Sequence, residues 1–329
     1  RPRRRDVPPP TCRRRGFFLS WTAVSLPATM DMVSNVLPQE KRTLGVSLHS
    51  LVRRVPMALG PVLGGLMIGW RGEKNGVRLA FVIALILGGV SLVLQQVMIT
   101  DDKTRSRKAE GNPLRTLALI SPTLRNLLVS DILVRFCEQI PYAFVVVWCV
   151  RMHGITPLQF GVLTTVEMIT AMLIYIPIAY LANKNTKKPF VVVTFGFFTL
   201  FPLILLFSRS FWPMVAAFVV RGMKEFGEPT RKALILDLAP ESKKASTFGV
   251  YYLLRDIVVS AAAFGGALLW DASTAAKLFD VLKFGHDLLP LVASVTSPVT
   301  NLLAAFGFGL LGTLYFALFG KDLGNATTN

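Results

Sequence analysis

A chain of 329 residues that is 52% hydrophobic, with a mean hydropathy of +0.52, is too apolar for a soluble protein, because no soluble core of that size hides so much apolar surface. The formal net charge of +17 does not indicate nucleic acid. Seven arginines crowd into Arg1 to Arg15, and most other bases flank apolar segments, where they meet anionic headgroups. Basic loops without interleaved aromatics make a poor nucleic-acid surface, so the partner is the lipid bilayer.

In chain order, residues 1–15 form an Arg/Pro-rich head, and Phe17 to Val36 is a shorter apolar stretch. Beyond it, runs of about 20 apolar residues mark eight spans, at roughly 43–70, 77–99, 123–150, 157–182, 189–208, 211–237, 245–270 and 296–319. The connections are short apart from 101–122 and 271–290, which leaves no room for a separate soluble domain. The predicted fold is all-α and polytopic. Its expected organisation is a remnant of a first bundle (16–100), a central loop (101–122), a six-helix bundle (123–320) and a tail (321–329).

Three apolar stretches, Val77 to Ile99, Phe190 to Ser208 and Leu288 to Phe319, carry no internal charge, Arg78 lying at the edge of the first. The spans between them hold carboxylates and guanidiniums. Lipid contact penalises a charge at a helix centre by roughly 2.5 to 3.5 kcal/mol. Every third span is therefore expected to face lipid, and the others to line a polar cavity.

Glu40-Lys41-Arg42, Lys103 to Arg115, the 184–188 loop and Lys243-Lys244 collect most of the loop charge on one side of the membrane. The excess of bases makes that side cytoplasmic and places the C-terminus there, in a multi-pass plasma-membrane protein of the bacterial inner-membrane kind. Cys12, Cys137 and Cys149 lack metal-ligand spacing and are expected to be packing residues. His49, His153 and His286 are scattered, and no hydrolase triad or phosphate loop is visible, so neither an enzyme nor a cofactor is expected.

A repeat gives the architecture. Pro38-Gln39-Glu40-Lys41-Arg42, Gly45-Val46, Arg54, Gly64-Gly65 and Trp70 return as Pro240-Glu241-Ser242-Lys243-Lys244, Gly249-Val250, Arg255, Gly265-Gly266 and Trp270. Arg54 and Arg255 are 201 positions apart. About six spans fit that interval, and an even number sends both copies into the membrane from the same side, a parallel repeat of six-helix bundles.

The first copy contains Gly60-Pro61-Val62-Leu63-Gly64-Gly65, which resembles the Gly-Pro-x-x-Gly-Gly core of the fifth-helix motif of major facilitator superfamily transporters, especially antiporters. Arg221-Gly222, the run Glu228 to Asp237 and Pro240 resemble that family's passage from tenth to eleventh helix. The likeness extends over about Ala28 to Lys321. It implies that the spans are the fifth to twelfth of twelve helices, that Phe17 to Val36 is a remnant of the fourth, and that the charge-free spans are the lipid-facing sixth, ninth and twelfth. It also gives Gly60, Pro61, Gly64 and Gly65, with Gly265 and Gly266 in the second copy, a packing and gating role. The position four before Gly60 is Pro56, where the motif usually has Gly.

Two departures stand out. Asn183, Lys184, Lys187 and Lys188 match the family's gating loop only loosely, with Asn183 where Asp is usual. The chain lacks the first three helices of the family, and the arginine-rich head would sit on the wrong side of the membrane. The head is therefore read as non-native, with a signal or transit peptide as the rival reading.

The chemistry should lie where intramembrane charges converge. Asp131, Arg135 and Glu138 are spaced i, i+4, i+7, on one helix face. Glu167 lies about ten residues into its span, near the midplane. Arg221, Lys224, Glu225, Glu228 and Lys232 form a stripe, and Arg255 and Asp256 follow on the next helix. Such charges can simply pair and lock helices, as Arg135 with Glu138 or Arg255 with Asp256, and that is the reading for Lys232, Asp237 and Asp256. For Glu138, Glu167, Arg221 and Glu225 a transport pathway is favoured, because intramembrane ionisable groups mark one. Arg54 would face the cavity or the other bundle. Pro141, Pro157, Pro177, Pro202, Pro213 and Pro229 should break or start helices.

The expectation is a secondary transporter of a small organic solute, working by alternating access, coupled to protons and favouring antiport. Uptake of an organic anion would rest on Arg135, Arg221 and Lys224, and export of a lipophilic cation on Glu138, Glu167 and Glu225. The alternative from another class is a non-transporting fragment or a receptor-like scaffold on a transporter fold.

Overall fold

The structure is a computed structural model; it describes residues 42–98, 121–182, 187–239, 244–282, 290 and 294–321. The Arg/Pro head, the Phe17 to Val36 stretch, the central loop, Cys12, Asn183 and Lys184 lie outside these residues. Among the described residues there is no β-strand. The elements are α1 (Arg42–Met98), α2 (Pro122–Tyr142), α3 (Val145–Val147), a π-helical turn (Trp148–Met152), α4 (Pro157–Ala182), α5 (Lys188–Phe207), α6 (Phe211–Met223), α7 (Glu228–Asp237), α8 (Lys244–Trp270), α9 (Ala272–Leu282) and α10 (Pro298–Phe319).

Several helices start on a hydroxyl followed by proline, whose missing N–H and fixed φ suit the first turn. Ser121 accepts from the Leu124 amide at 3.2 Å, ahead of Pro122. Ser297 accepts from the Thr300 amide at 3.0 Å, ahead of Pro298. At Thr156, ahead of Pro157, the cap is reciprocal. The Gln159 amide donates to Thr156 Oγ1 at 3.2 Å, and the Thr156 amide donates to Gln159 Oε1 at 2.9 Å.

All eight spans read from the sequence are helical, but not all are continuous. The first two merge in α1, which reverses at Gly72 (φ 76°, ψ 167°), a conformation open essentially to glycine alone. Gly76 then lies so close to Met67 and Ile68 that a Cβ there would sit 2.5 Å from the Met67 carbonyl oxygen. The third span bends by 42° between α2 and the α3–π segment, just after Pro141. The sixth breaks at Lys224–Gly227, before Pro229, and so α6 and α7 are each too short to cross a membrane alone. By length and apolarity five helices qualify as spans, or six with the bent pair counted as one. The connection 271–290 holds a helix, α9, that the apolar-run count did not reveal.

Pro177 and Pro202 lie inside continuous helices, contrary to the expectation that they break or start them. The reason is visible at Pro202. It has no amide to bond the Phe198 carbonyl, and the thiol of buried Cys137 donates to that oxygen at 3.2 Å.

α2 and α10 run antiparallel in close contact. The Asn126 side-chain amide donates to the Phe319 carbonyl, and added Cβ atoms on Gly312 and Gly309 would meet Val134 and Cys137 at 2.8 and 2.9 Å. α5 packs on α10 and α6, α8 on α2, and α4 on both α1 and α6. One apolar layer gathers Trp148, Leu163, Phe201, Met214, Phe218 and Trp270. A second gathers Leu124, Leu127, Phe195, Leu234, Tyr251 and Phe316.

The charge-free spans differ in how many sides protein covers. The second half of α1, from Val77 to Met98, is exposed along most of its length. α5 is two-faced: Leu200 and Phe207 are exposed, but Phe195, Phe198, Phe201 and Leu205 are buried against neighbouring helices. Absence of charge marked α5 as apolar without saying how many sides protein covers.

Candidate functional site

α1 and α4 form an antiparallel pair with a fixed register. A Cβ on Gly65 would meet the Pro157 carbonyl oxygen at 2.8 Å, and one on Gly161 would meet the Pro61 carbonyl oxygen at 2.6 Å. Thr165 Oγ1 donates to the Ala58 carbonyl at 2.6 Å, and Arg54 reaches Met168 Sδ at 3.4 Å. Small residues let the two backbones touch, as helix pairs in lipid require. Gly60 and Gly64 face open space, so of the motif's glycines only Gly65 makes the contact. In the second copy Gly265 is likewise free, and Gly266 packs on the Ile140 carbonyl. Among the described residues, no atom lies within 4 Å of a Cβ built on Gly60, Gly64 or Gly265.

At the inner end of this seam Arg54 forms an ion pair with Glu225 at 2.7 Å. Arg54 Nη2 also donates to the Tyr175 hydroxyl at 3.2 Å, and that hydroxyl donates to Glu225 Oε2 at 2.8 Å. Arg54 thus reaches across α4 to the turn that follows α6.

Most of the remaining charges form one network, buried apart from the exposed Asp256, with the Lys187–Asp237 pair separate from it. Arg135 pairs with Glu138 at 2.7 Å and Glu228 at 3.4 Å, and lies 3.8 Å from Asp131. Lys224 Nζ is shared between Glu138 Oε1 at 2.7 Å and Glu167 Oε1 at 3.1 Å. Arg221 Nε lies 3.3 Å from Glu167. Arg231, fully buried, pairs with Asp131 and, at 2.7 Å, with Glu228. Lys232 lies 3.5 Å from Glu228. Arg255 pairs with Asp256 at 2.7 Å and lies 3.5 Å from Asp131, whose Oδ2 also accepts from the Tyr251 hydroxyl at 3.1 Å. Lys187 pairs with Asp237 at the helix ends. Lys188 opens α5.

Arg135 sits over the Phe198 ring with its guanidinium carbon 5.0 Å from the centroid, and Arg221 sits over Phe201 and Phe218 at 5.0 and 5.5 Å. Between these groups is a pocket with room for about one water, lined by Glu138, Val145, Phe198, Phe201, Arg221 and Lys224.

The expected single stripe from Arg221 to Lys232 does not exist, because the break at Lys224–Gly227 turns its members apart. Glu225 points to α1, Glu228 to α2 and Arg231, and Arg221 and Lys224 to the pocket. The pairings of Arg135 with Glu138, Arg255 with Asp256, Lys232 with Glu228 and Asp237 with Lys187 follow the locking alternative. Arg231 and Tyr175 were missed as network members. Arg231 is spaced i+3 from Glu228, a signal that could have revealed it.

Among the described residues no group of His, Cys, Asp and Glu could hold a metal. The chemistry available is charge: carboxylates shared between cations, aromatic rings under guanidiniums, and a pocket where they meet.

A polytopic helical bundle with a buried charged layer is the architecture of a membrane transporter, and the sequence matches the Major Facilitator Superfamily over residues 16–263. The chain belongs to that superfamily. Its fold is similar to the crystal structure of a bacterial homolog to the human lysosomal transporter Spinster, in an inward-facing and occupied conformation. The TM-score is 0.53 at 14% identity, over 88% of this chain and 72% of that one. A search of curated proteins found no significant match.

Proposed function

We propose that this transporter moves a small organic solute by alternating access and couples the movement to protons at the carboxylates of the charged layer. The observation that carries this is the sharing of Lys224 between Glu138 and Glu167. A proton arriving on Glu167 leaves Lys224 with Glu138, so the ammonium is not stranded without a carboxylate, a state that is costly at low dielectric, while Arg221 loses its carboxylate partner. Antiport is the favoured mode, from the Gly-Pro-x-x-Gly-Gly core seated on α4. The chain is assigned to the bacterial inner membrane, with the basic loops and the C-terminus cytoplasmic. Residues 123–320 act as one bundle, which rocks against the bundle that contains α1.

Symport is the second reading, favoured by one distance: Glu167 is also the carboxylate beside Arg221. Protonating it would turn that guanidinium toward an anionic solute.

The test is reconstitution in liposomes with an imposed pH gradient of either sign, using a panel of labelled carboxylates, amines and neutral solutes. Glu167→Gln should abolish proton-driven flux, Glu138→Gln should reduce it by at least about tenfold, and Glu225→Gln should slow turnover by opening the Arg54 contact. Unchanged proton-driven flux in all three variants would remove these carboxylates as the coupling groups, and absence of proton-driven flux in the unmodified chain would remove proton coupling. The sign of the productive gradient separates antiport from symport.

A further inference from the structure

We infer that Arg221 is the solute-binding residue and that the solute carries an oxyanion group, a carboxylate or a phosphate, attached to an apolar body. This deepens the transporter reading and rests on it, but not on either coupling mode. Every other base in the charged layer is taken up by neighbouring groups. Arg54 is used by Glu225 and Tyr175, Arg135 by Glu138 and Glu228, and Lys224 by Glu138 and Glu167. Arg231 is used by Asp131 and Glu228, Arg255 by Asp256, and Lys232, which does not line the pocket, by Glu228 at 3.5 Å. Arg221 differs. Its single ion pair is made through Nε, at 3.3 Å from Glu167, and among the described residues neither terminal nitrogen has a partner.

Those nitrogens belong to a residue that lines the pocket. The Phe201 and Phe218 rings beneath the guanidinium and Glu167 at its Nε fix its orientation from two directions. A planar fork held in place, with its outer donors open, matches a carboxylate or phosphate through two parallel hydrogen bonds. The charge balance agrees. Arg135, Arg221, Lys224, Arg231, Lys232 and Arg255 outnumber Asp131, Glu138, Glu167, Glu228 and Asp256 by one, and adding the Arg54–Glu225 pair leaves the difference unchanged. One bound anion neutralises the surplus. A cation finds less: both oxygens of Glu138 are already engaged, by Lys224 and by Arg135.

The apolar part of the lining is formed by Val145, Phe198 and Phe201. Val145 is the first residue of α3, just past the 42° bend. Withdrawal of that segment would enlarge a pocket that now holds about one water.

The experiment is calorimetric titration of the full chain in nanodiscs with benzoate, phenylphosphonate, benzamide and benzylamine, which share an aromatic body and differ in charge. Benzoate or phenylphosphonate should bind at least about tenfold tighter than benzamide, as expected for a charge-assisted fork, and whichever binds better identifies the anionic group. Arg221→Gln should erase the preference. Arg221→Lys should restore only part of it, because an ammonium keeps the charge but not the fork. Arg209→Gln, an exposed base outside the site, should keep all of it. Equal binding of benzoate, phenylphosphonate and benzamide to the unmodified chain, or an anion preference that survives Arg221→Gln, overturns the proposal. Should Arg221→Gln not fold, the comparison of probes on the unmodified chain decides alone. Anion preference without proton-driven flux would sink the coupling and keep this site; coupled flux without anion preference would do the reverse.

Discussion

Arg231 is the most constrained residue of the charged layer: it is 1% exposed and held by two carboxylates. Removing one side of a buried ion pair leaves the other charge stranded, at a cost of about 3–5 kcal/mol, whereas replacing both sides with apolar groups of similar volume is often neutral. Arg231→Met should therefore lower the melting temperature of the detergent-solubilised protein sharply, and adding Asp131→Leu should recover part of the loss. Equal melting of the single variant and the unmodified chain would show that this pair does not hold the layer together. At this scale the sequence was informative where charges share one helix. The i, i+4, i+7 spacing of Asp131, Arg135 and Glu138 placed them on a common face, and Arg135 does contact both carboxylates. Pairing between helices left no such trace. Nothing local to Tyr175 announces that its hydroxyl bridges Arg54 and Glu225, because that contact depends on the register of α1 against α4.

The break between α6 and α7 has the largest chemical effect of any single element. A continuous helix over 211–237 would put Arg221, Glu225, Glu228 and Lys232 on one face; the turn at Lys224–Gly227 sends them to three different neighbours. Pro229 was a readable warning, since proline cannot continue the ladder behind it. The position of the turn was not readable, because α5 sets it. The Gly227 amide donates to Thr194 Oγ1 at 2.5 Å, and a Cβ on Gly227 would meet the Phe190 carbonyl at 2.5 Å. Thr194→Val keeps the shape and deletes the acceptor, leaving a buried amide unpaired. It should cost about 1–3 kcal/mol and be seen as faster hydrogen exchange at Gly227. Unaltered exchange there would mean that the turn holds without α5.

Across the whole molecule the repeat is expressed in packing as well as in sequence. Gly65 and Gly266, 201 positions apart, are the second members of their glycine pairs, and each seats its helix on a neighbouring backbone, α1 on Pro157 and α8 on Ile140. The glycine pairs were legible in the sequence; which member bears the contact was not, since that depends on helix rotation. Gly65→Val should destabilise by about 1–3 kcal/mol through overpacking, with Gly64→Val close to neutral, and comparison of their thermal melts checks the difference. The seam also has a mechanical consequence. Contacts 65 to 157, 61 to 161, 58 to 165 and 54 to 168 keep one register, so α1 cannot slide along α4 without losing all four together, but it can tilt about the Gly65 end. That makes α1 a lever. Arg54 is ~16 Å from Gly65 along the helix, and a tilt of about 10° displaces it by roughly 3 Å. A small hinge movement at the glycine would thus become a full separation at the ion pair, so that the charged end of the seam would act as a latch whose release depends on angle.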